Sequence, residues 1–185
     1  MSRSPNASIN FDNIGRGRVY GAELFLEHKF NNTFRGWVTY TLSRAERRDS
    51  GETDYRLFDF DQTHIFNAVQ SYLFPENWEV GIRWRFVTGN PQTPFISGVF
   101  NSDLDEYTPT PGATNSDRLP LFHQLDLRVD KTWVWDWWRL SAYLSLINTY
   151  NRQNTEGLSY NFDFSRREPI QGLPVLPILG VKGEF

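Results

Sequence analysis

The chain is 185 residues long, holds no cysteine and carries a formal net charge of −3. That excludes disulfide frameworks and thiolate metal sites, and the absence of a basic run or recognition motif leaves no nucleic-acid footprint. Mean hydropathy is −0.54 and no stretch approaches the ~18 apolar residues of a spanning helix, yet seven Trp, eight Tyr and fifteen Phe call for an explanation in structure.

Residues 1–16 are polar and turn-rich and read as the tail of a preceding loop. From Val19 to Phe30 the alternation is clean: Tyr20, Ala22, Leu24, Leu26 and Phe30 share one face, and Glu23, Glu27 and Lys29 take the other. Asn31-Asn32-Thr33 is a compact turn, after which Phe34, Val38, Tyr40 and Leu42 alternate with Arg35, Thr39, Thr41 and Ser43. A charged stretch, 45–62, reads as a loop. The third strand, about Thr63 to Phe74, is ambiguous, because Phe66, Ala68, Tyr72 and Phe74 compete with Ile65, Val69 and Leu73 for the apolar side.

Pro75-Glu76-Asn77 makes the next tight turn, and Trp78, Val80, Ile82, Trp84 and Phe86 then alternate with Glu79, Gly81, Arg83 and Arg85. Residues 89–119 are acidic and proline-rich and read as a long loop. The fifth strand sets Leu125, Leu127, Val129 and Trp133 against Gln124, Asp126, Arg128 and Asp130. A turn near Trp135-Asp136 leads to the sixth, with Trp138, Leu140, Ala142, Leu144 and Leu146 against Arg139, Ser141 and Ser145. Residues 150–174 form a further polar loop, and about Val175 to Phe185 the last strand puts Leu179, Val181 and Phe185 on one side.

Seven alternating segments joined by gaps that are short, long, short, long predict an all-β fold. The expected form is an antiparallel transmembrane β-barrel segment, with short periplasmic turns and long extracellular loops. Ionised groups strand after strand on one face would be costly in a dry soluble core but not beside a wet lumen. Trp78, Trp133, Trp135, Trp137 and Trp138 flank the short turns, as do Phe30, Phe34 and Phe74, which suits an aromatic girdle at a membrane interface. With short turns periplasmic, Phe185 ends at the periplasmic rim. Leu179, Gly180, Val181 and Phe185 then form the terminal pattern that barrel-assembly machinery recognises, although Gly183 occupies a place where a second aromatic is common.

An odd strand count has no closing partner, so residues 17–185 are expected to be the C-terminal part of a larger barrel. The opening Met1-Ser-Arg-Ser-Pro-Asn-Ala lacks the apolar core of a signal peptide. Gly15-Arg-Gly-Arg-Val-Tyr-Gly-Ala-Glu-Leu24, Asp61-Gln-Thr-His64, Thr88-Gly-Asn-Pro91, Arg118-Leu-Pro-Leu-Phe-His-Gln-Leu-Asp-Leu-Arg128, Asn148-Thr-Tyr-Asn-Arg152 and Gly180-Val-Lys-Gly-Glu-Phe185 resemble, in order and spacing, the C-terminal barrel region of TonB-dependent outer-membrane receptors. The resemblance implies a barrel of about twenty-two strands around a plug, importing a siderophore, cobalamin or glycan. The implied partners are outer-membrane lipid, the rest of the barrel and plug, and the TonB complex through that plug; neither plug nor TonB box is present in these residues. It implies no cofactor, metal or catalysis.

The residues singled out on the polar face are Glu23, Glu27, Arg35, Glu79, Arg83, Arg85, Asp126, Arg128 and Arg139. They read first as a charge ladder of cross-strand pairs lining the lumen, and second as an arginine cluster steering an anionic ligand. His28, His64 and His123 stand singly and read as hydrogen-bonding residues rather than ligands or bases. Asp59, Asp61 and His64 read as a loop-to-strand junction rather than an acid–base cluster. Asp103, Asp105 and Glu106 lack the Gly and distal Glu of a calcium loop. Two rival functions stand beside this: an outer-membrane enzyme barrel, which needs a closed even-stranded barrel and its own signal sequence, and a structural or adhesin-like barrel domain assembling as an oligomer, whose closure seven strands per chain make awkward.

Overall fold

A computed structural model describes residues 15–30, 33–49 and 51–185. The strands are β1 (Arg16–Phe30), β2 (Phe34–Arg48), β3 (Arg56–Leu57), β4 (His64–Phe74), β5 (Trp78–Val87), β6 (Pro91–Gln92), β7 (Phe95–Asn101), β8 (Glu106–Pro111), β9 (Asp117–Arg118), β10 (Phe122–Val134), β11 (Arg139–Ile147), β12 (Thr155–Tyr160), β13 (Arg167–Gln171) and β14 (Leu176–Glu184). Seven of them form one antiparallel sheet in chain order, β1-β2-β4-β5-β10-β11-β14, with β3 paired onto the end of β2. The sheet is open, and β1 and β14 are its edges.

The turns explain the order. Glu76 and Asn77 sit at φ 60° and 59° and reverse the chain within one short 3-10 turn between β4 and β5. Trp135 donates its amide to the Trp138 carbonyl at 3.0 Å and closes the β10–β11 hairpin. Of the β1–β2 turn, Asn31 and Asn32 lie outside the described residues, as do residues 1–14 of the expected leading loop.

At the other rim the structure departs from the sequence reading. β1 starts at Arg16 and β2 continues to Arg48, because residues 16–19 pair with 45–48; the stretch expected to be loop from 45 onward is still ladder. The 89–119 and 150–174 stretches are not plain loops. They carry the hairpins β7–β8 and β12–β13, which hydrogen-bond within themselves and not to the main sheet. The two hairpins meet through rings: Phe95 packs edge-on to Tyr160 at 5.0 Å and Phe164 at 5.4 Å, and Tyr107 meets Phe162 at 5.7 Å.

Within the main sheet every pairing runs without a register shift. Directly opposed residues share a face, so the register sorts all seven strands at once. One face carries Leu24, Leu26, Val38, Tyr40, Phe66, Ala68, Tyr72, Val80, Ile82, Trp84, Leu125, Leu127, Val129, Leu140, Leu144, Leu146, Leu179 and Val181. The other carries Glu23, Thr39, Asn67, Ser71, Arg83, Arg85, Gln124, Asp126, Arg128, Ser141, Ser145 and Lys182. The ambiguity in β4 is resolved: Phe66, Ala68, Tyr72 and Phe74 lie opposite Phe86, Trp84, Val80 and Trp78, and Ile65, Val69 and Leu73 lie on the charged side.

No helix or second sheet packs on the apolar face among the described residues. Proline aside, Val87 is the only aliphatic or aromatic side chain that is buried among them, while Leu24, Leu26, Ile82, Trp84, Leu144, Leu179 and Val181 are exposed. Six strand spacings of about 4.8 Å by eight residue rises of about 3.3 Å give an apolar face of roughly 760 Å² in plan, beyond the largest patch usual on a water-soluble monomer. The outer edges of β1 and β14 have no ladder partner among the described residues, and such edges template further pairing. The full chain in detergent-free buffer is therefore expected to sediment as oligomers or aggregates; a monodisperse monomer by analytical ultracentrifugation would contradict this.

Candidate functional site

All nine residues of the expected charge ladder stand on the same, charged face. Arg35 reaches across β4 to Glu79 at 2.9 Å, bonding Ser71 Oγ at 3.2 Å on the way. Arg83 pairs with the directly opposed Asp126, and Arg139 stands 3.6 Å from Glu184 of β14. Arg128 instead bonds Asp130 on its own strand at 2.7 Å, with its guanidinium 3.8 Å from the centre of the Tyr143 ring. Glu27 pairs with Lys29 at 3.0 Å, again along one strand. Most of these pairs are well exposed on at least one side and contribute about 1 kcal/mol or less each. Glu23 lies opposite Thr41, and Arg85 lies between Asn67 and Gln124 with the Phe122 ring 5.4 Å away.

A cavity of about 290 Å³ opens on this face, lined by Trp37, Ile65, Asn67, Arg83, Arg85, Phe122, Gln124 and Asp126. Its walls combine two aromatic rings with two guanidinium groups, chemistry suited to a polar ligand with an anionic or planar part.

Asp126 is more than a rung of the ladder. Buried, it accepts Arg83 Nε at 2.9 Å, Gln124 Nε2 at 2.8 Å and the backbone amide of Asn148 at 2.9 Å. Asn148, 1% exposed and at φ 54°, donates its side-chain amide to the Arg152 and Leu173 carbonyls at 2.9 and 3.0 Å. Asn154 exchanges two hydrogen bonds with the His123 backbone at 3.1 and 3.0 Å. The base of the last long connection is thus knitted to β10 by side chains that replace a ladder.

A second polar knot binds the other two long connections. Asp61, 1% exposed, accepts the Ala45 amide at 2.6 Å, the Thr63 hydroxyl at 3.1 Å and the Arg118 guanidinium. Arg118 also donates to the Asp61 and Gly89 carbonyls, each at 3.0 Å. A side chain on Gly89 would overlap the Leu119 carbonyl oxygen, so the close approach admits only glycine there. Asn115 adds bonds to the Leu57 carbonyl at 2.7 Å and to Asp59 at 2.6 Å. Burial pushes the Asp61 carboxyl up, but the Ala45 amide, the Arg118 guanidinium and the Thr63 hydroxyl outweigh it and hold the group below the ordinary aspartate range.

At the short-turn rim, Phe34, Phe74, Trp78 and Trp133 end the apolar face. Trp135 stacks on Trp138 at 4.4 Å, and Trp137 is the most exposed indole there. The Phe30 side chain lies outside the described residues. Leu179 and Val181 are on the apolar face, and Glu184 pairs with Arg139, which brings Phe185 to this same rim. Gly180 lies opposite Tyr143 on the charged face, where a side chain would meet the ring that Arg128 covers. The sequence reading missed Lys131, a cation on the apolar face. It lies between the Trp78 and Trp133 rings, 5.1 and 5.9 Å away, and carries its ammonium out to the Glu76 carbonyl at 2.6 Å, as a snorkelling lysine does.

The remaining candidates do not converge. His64 bonds Tyr40 at 2.8 Å on the apolar face, away from Asp61, and His123 bonds Tyr150 at 2.7 Å. His28 stacks on Phe34 at 4.7 Å. Among the described residues no group of three or more His, Asp or Glu is placed to hold a metal, Asp103, Asp105 and Glu106 included. Comparison of the chain with family models, curated proteins and solved structures returns no match.

The Asp61 knot is expected to make its rim acid-sensitive. Its folded pKa lies below the ordinary 3.8, so its contribution is complete above about pH 5 and is lost as pH falls through the folded value. Asp61→Asn, which leaves Arg118 facing a neutral partner, is expected to cost about 3 kcal/mol. Limited proteolysis of the 49–63 and 88–121 segments checks this: the variant should be cut faster at neutral pH and lack the wild-type loss of protection on acidification.

Proposed function

We propose that the chain is part of the wall of an outer-membrane β-barrel, with its apolar face against lipid and its charged face against a wet lumen. We further propose that the barrel is the C-terminal region of a TonB-dependent receptor that imports a scarce ligand. One observation carries the first step: an apolar face continuous over seven strands, covered by nothing among the described residues, backed by a face on which charged and polar side chains recur on every strand. In water that face would be a large unsatisfied liability. In a bilayer it is the required surface, and the charged side costs little because water wets it.

Dimensions agree. On β5 the apolar row runs from Trp78 to Phe86, eight rises or about 26 Å along the strand, close to the ~25 Å apolar band of such barrels once tilt is allowed. The receptor assignment draws support from the resembling segments. Asp61-Gln-Thr-His64, Thr88-Gly-Asn-Pro91 and the start of Arg118–Arg128, far apart in sequence, meet in the Asp61–Arg118–Gly89 knot. Asn148-Thr-Tyr-Asn-Arg152 builds the other knot. In this reading the knots hold the long connections over the pore mouth, the cavity beside Arg83 and Arg85 faces ligand, and the loops choose it. Leu179, Val181 and Phe185 then face lipid at the periplasmic rim, where assembly machinery would read them.

The facing is testable by paired substitutions. Leu127→Arg places a charge near mid-height of the apolar face and is expected to cost about 2–4 kcal/mol of membrane stability, whereas Thr39→Arg on the charged face should be near neutral. Urea unfolding from lipid vesicles separates the two, and equal tolerance of both changes would remove the lipid-facing assignment.

A further inference from the structure

The two ends of the apolar face differ in chemistry. The short-turn end is indole and one snorkelling lysine. At the long-loop end, β1 and β2 alone finish the same face in arginine: Arg16 lies opposite Arg48, Arg18 opposite Glu46, and Tyr20 opposite Arg44. On β4, β5 and β10 the ladder ends sooner, and its last positions on this face are His64, Phe86 and His123. The cluster is built rather than scattered. Glu46, buried, takes Arg18 on one oxygen at 2.5 Å and Arg44 on the other at 2.6 Å. Arg18 and Arg48 both lie over the Tyr55 ring, at 4.1 and 5.3 Å from its centre.

Four arginines therefore share this end of the face with one carboxylate, which pairs with two of them, and Arg18 and Arg44 each keep about half of their side chains (51%) exposed. The nearby loop acids do not neutralise them: Asp49 and Glu52 are engaged by Arg47 and Arg56. An excess of preordered planar donors, just past the boundary of a lipid-facing surface, suits a doubly or triply accepting oxyanion held at headgroup depth.

Resting on the lipid-facing reading above, we infer that Arg16, Arg18, Arg44 and Arg48 form a site for the phosphate of a lipid headgroup in the leaflet that meets the long-loop rim. Tyr55 holds the guanidinium planes of Arg18 and Arg48, and Glu46 spaces Arg18 from Arg44, so three of the four arginines are in place before lipid arrives.

The test is flotation of the full 185-residue chain with phosphatidylcholine vesicles, with and without phosphatidic acid, at physiological salt. Both should be bound, the phosphatidic acid vesicles of the order of tenfold more tightly. Arg16→Gln with Arg48→Gln leaves the Glu46 pairs intact and should remove most of that gain while keeping phosphatidylcholine binding. Arg44→Gln should do the same. Arg35→Gln with Arg85→Gln, on the charged face, should leave the gain in place. Equal binding of both vesicles, or equal loss in the charged-face variant, overturns the phosphate site and spares the lipid-facing wall. Abolition of the gain by inorganic phosphate would make it a site for the free ion and overturn the lipid assignment. Failure to bind either vesicle removes the wall and the site together.

Discussion

An antiparallel ladder carried through seven strands without a slip is the constraint on which the structure depends. Side chains in a strand alternate with a period of two, so a one-residue slip at any pairing would send every later apolar side chain to the charged face. No such slip occurs between β1 and β14. The bulges that do occur are confined to the outlying hairpins β7–β8 and β12–β13, whose faces need not match the sheet. Turn chemistry protects the register: two left-handed residues at Glu76 and Asn77 and a single bond across Trp135 and Trp138 leave little room for alternatives.

How much of this could be read from residues alone depends on whether the signal is local. Leu125, Leu127 and Val129 against Gln124, Asp126 and Arg128 is a local pattern and gives the facing of β10 directly. β4 has apolar residues on both sides, so its facing depends on register with Trp84 and Phe86 on β5, which no local window contains. Lys131 escaped because a cation on an apolar face breaks the alternation by which faces are assigned; its position makes sense only beside Trp78 and Trp133. The pairings within the 89–119 connection were hidden by Pro91, Pro109 and Pro111, which mark loops in sequence yet occupy strand positions tolerated at sheet edges.

The knots are a further class of information that sequence alone withholds. Asp61 and Arg118 are 57 positions apart and Arg83 and Asp126 are 43 apart; spacing says nothing of either meeting. Each knot is made where a long connection leaves the sheet and backbone groups lose their ladder partners. Buried amides and carbonyls there must be satisfied by side chains, which is why Asn115, Asn148 and Asn154, each both donor and acceptor, are buried at these points. The arginines of the apolar face belong to this class too. Arg16 and Arg18 are separated from Arg44 and Arg48 by a whole hairpin, so no basic run is visible until β1 and β2 pair.

Strand direction limits how the sheet can be completed. Neighbours alternate in direction, so β1 and β14, first and seventh in the order, run the same way. They cannot join each other as antiparallel neighbours, and a parallel join would need a different hydrogen-bond pattern and a crossover that short turns do not supply. An antiparallel barrel containing this sheet therefore takes an odd number of further strands. One more would give a narrow barrel of eight, whose interior is just filled by side chains. That is a poor fit to a charged face carrying Arg83, Arg85 and Asp126 around an open cavity, since ionised groups packed together without water are costly. About fifteen more would give the large barrel with a plugged lumen, in which the same face meets water and the plug. The charge on that face thus suits a wide closure better than a narrow one.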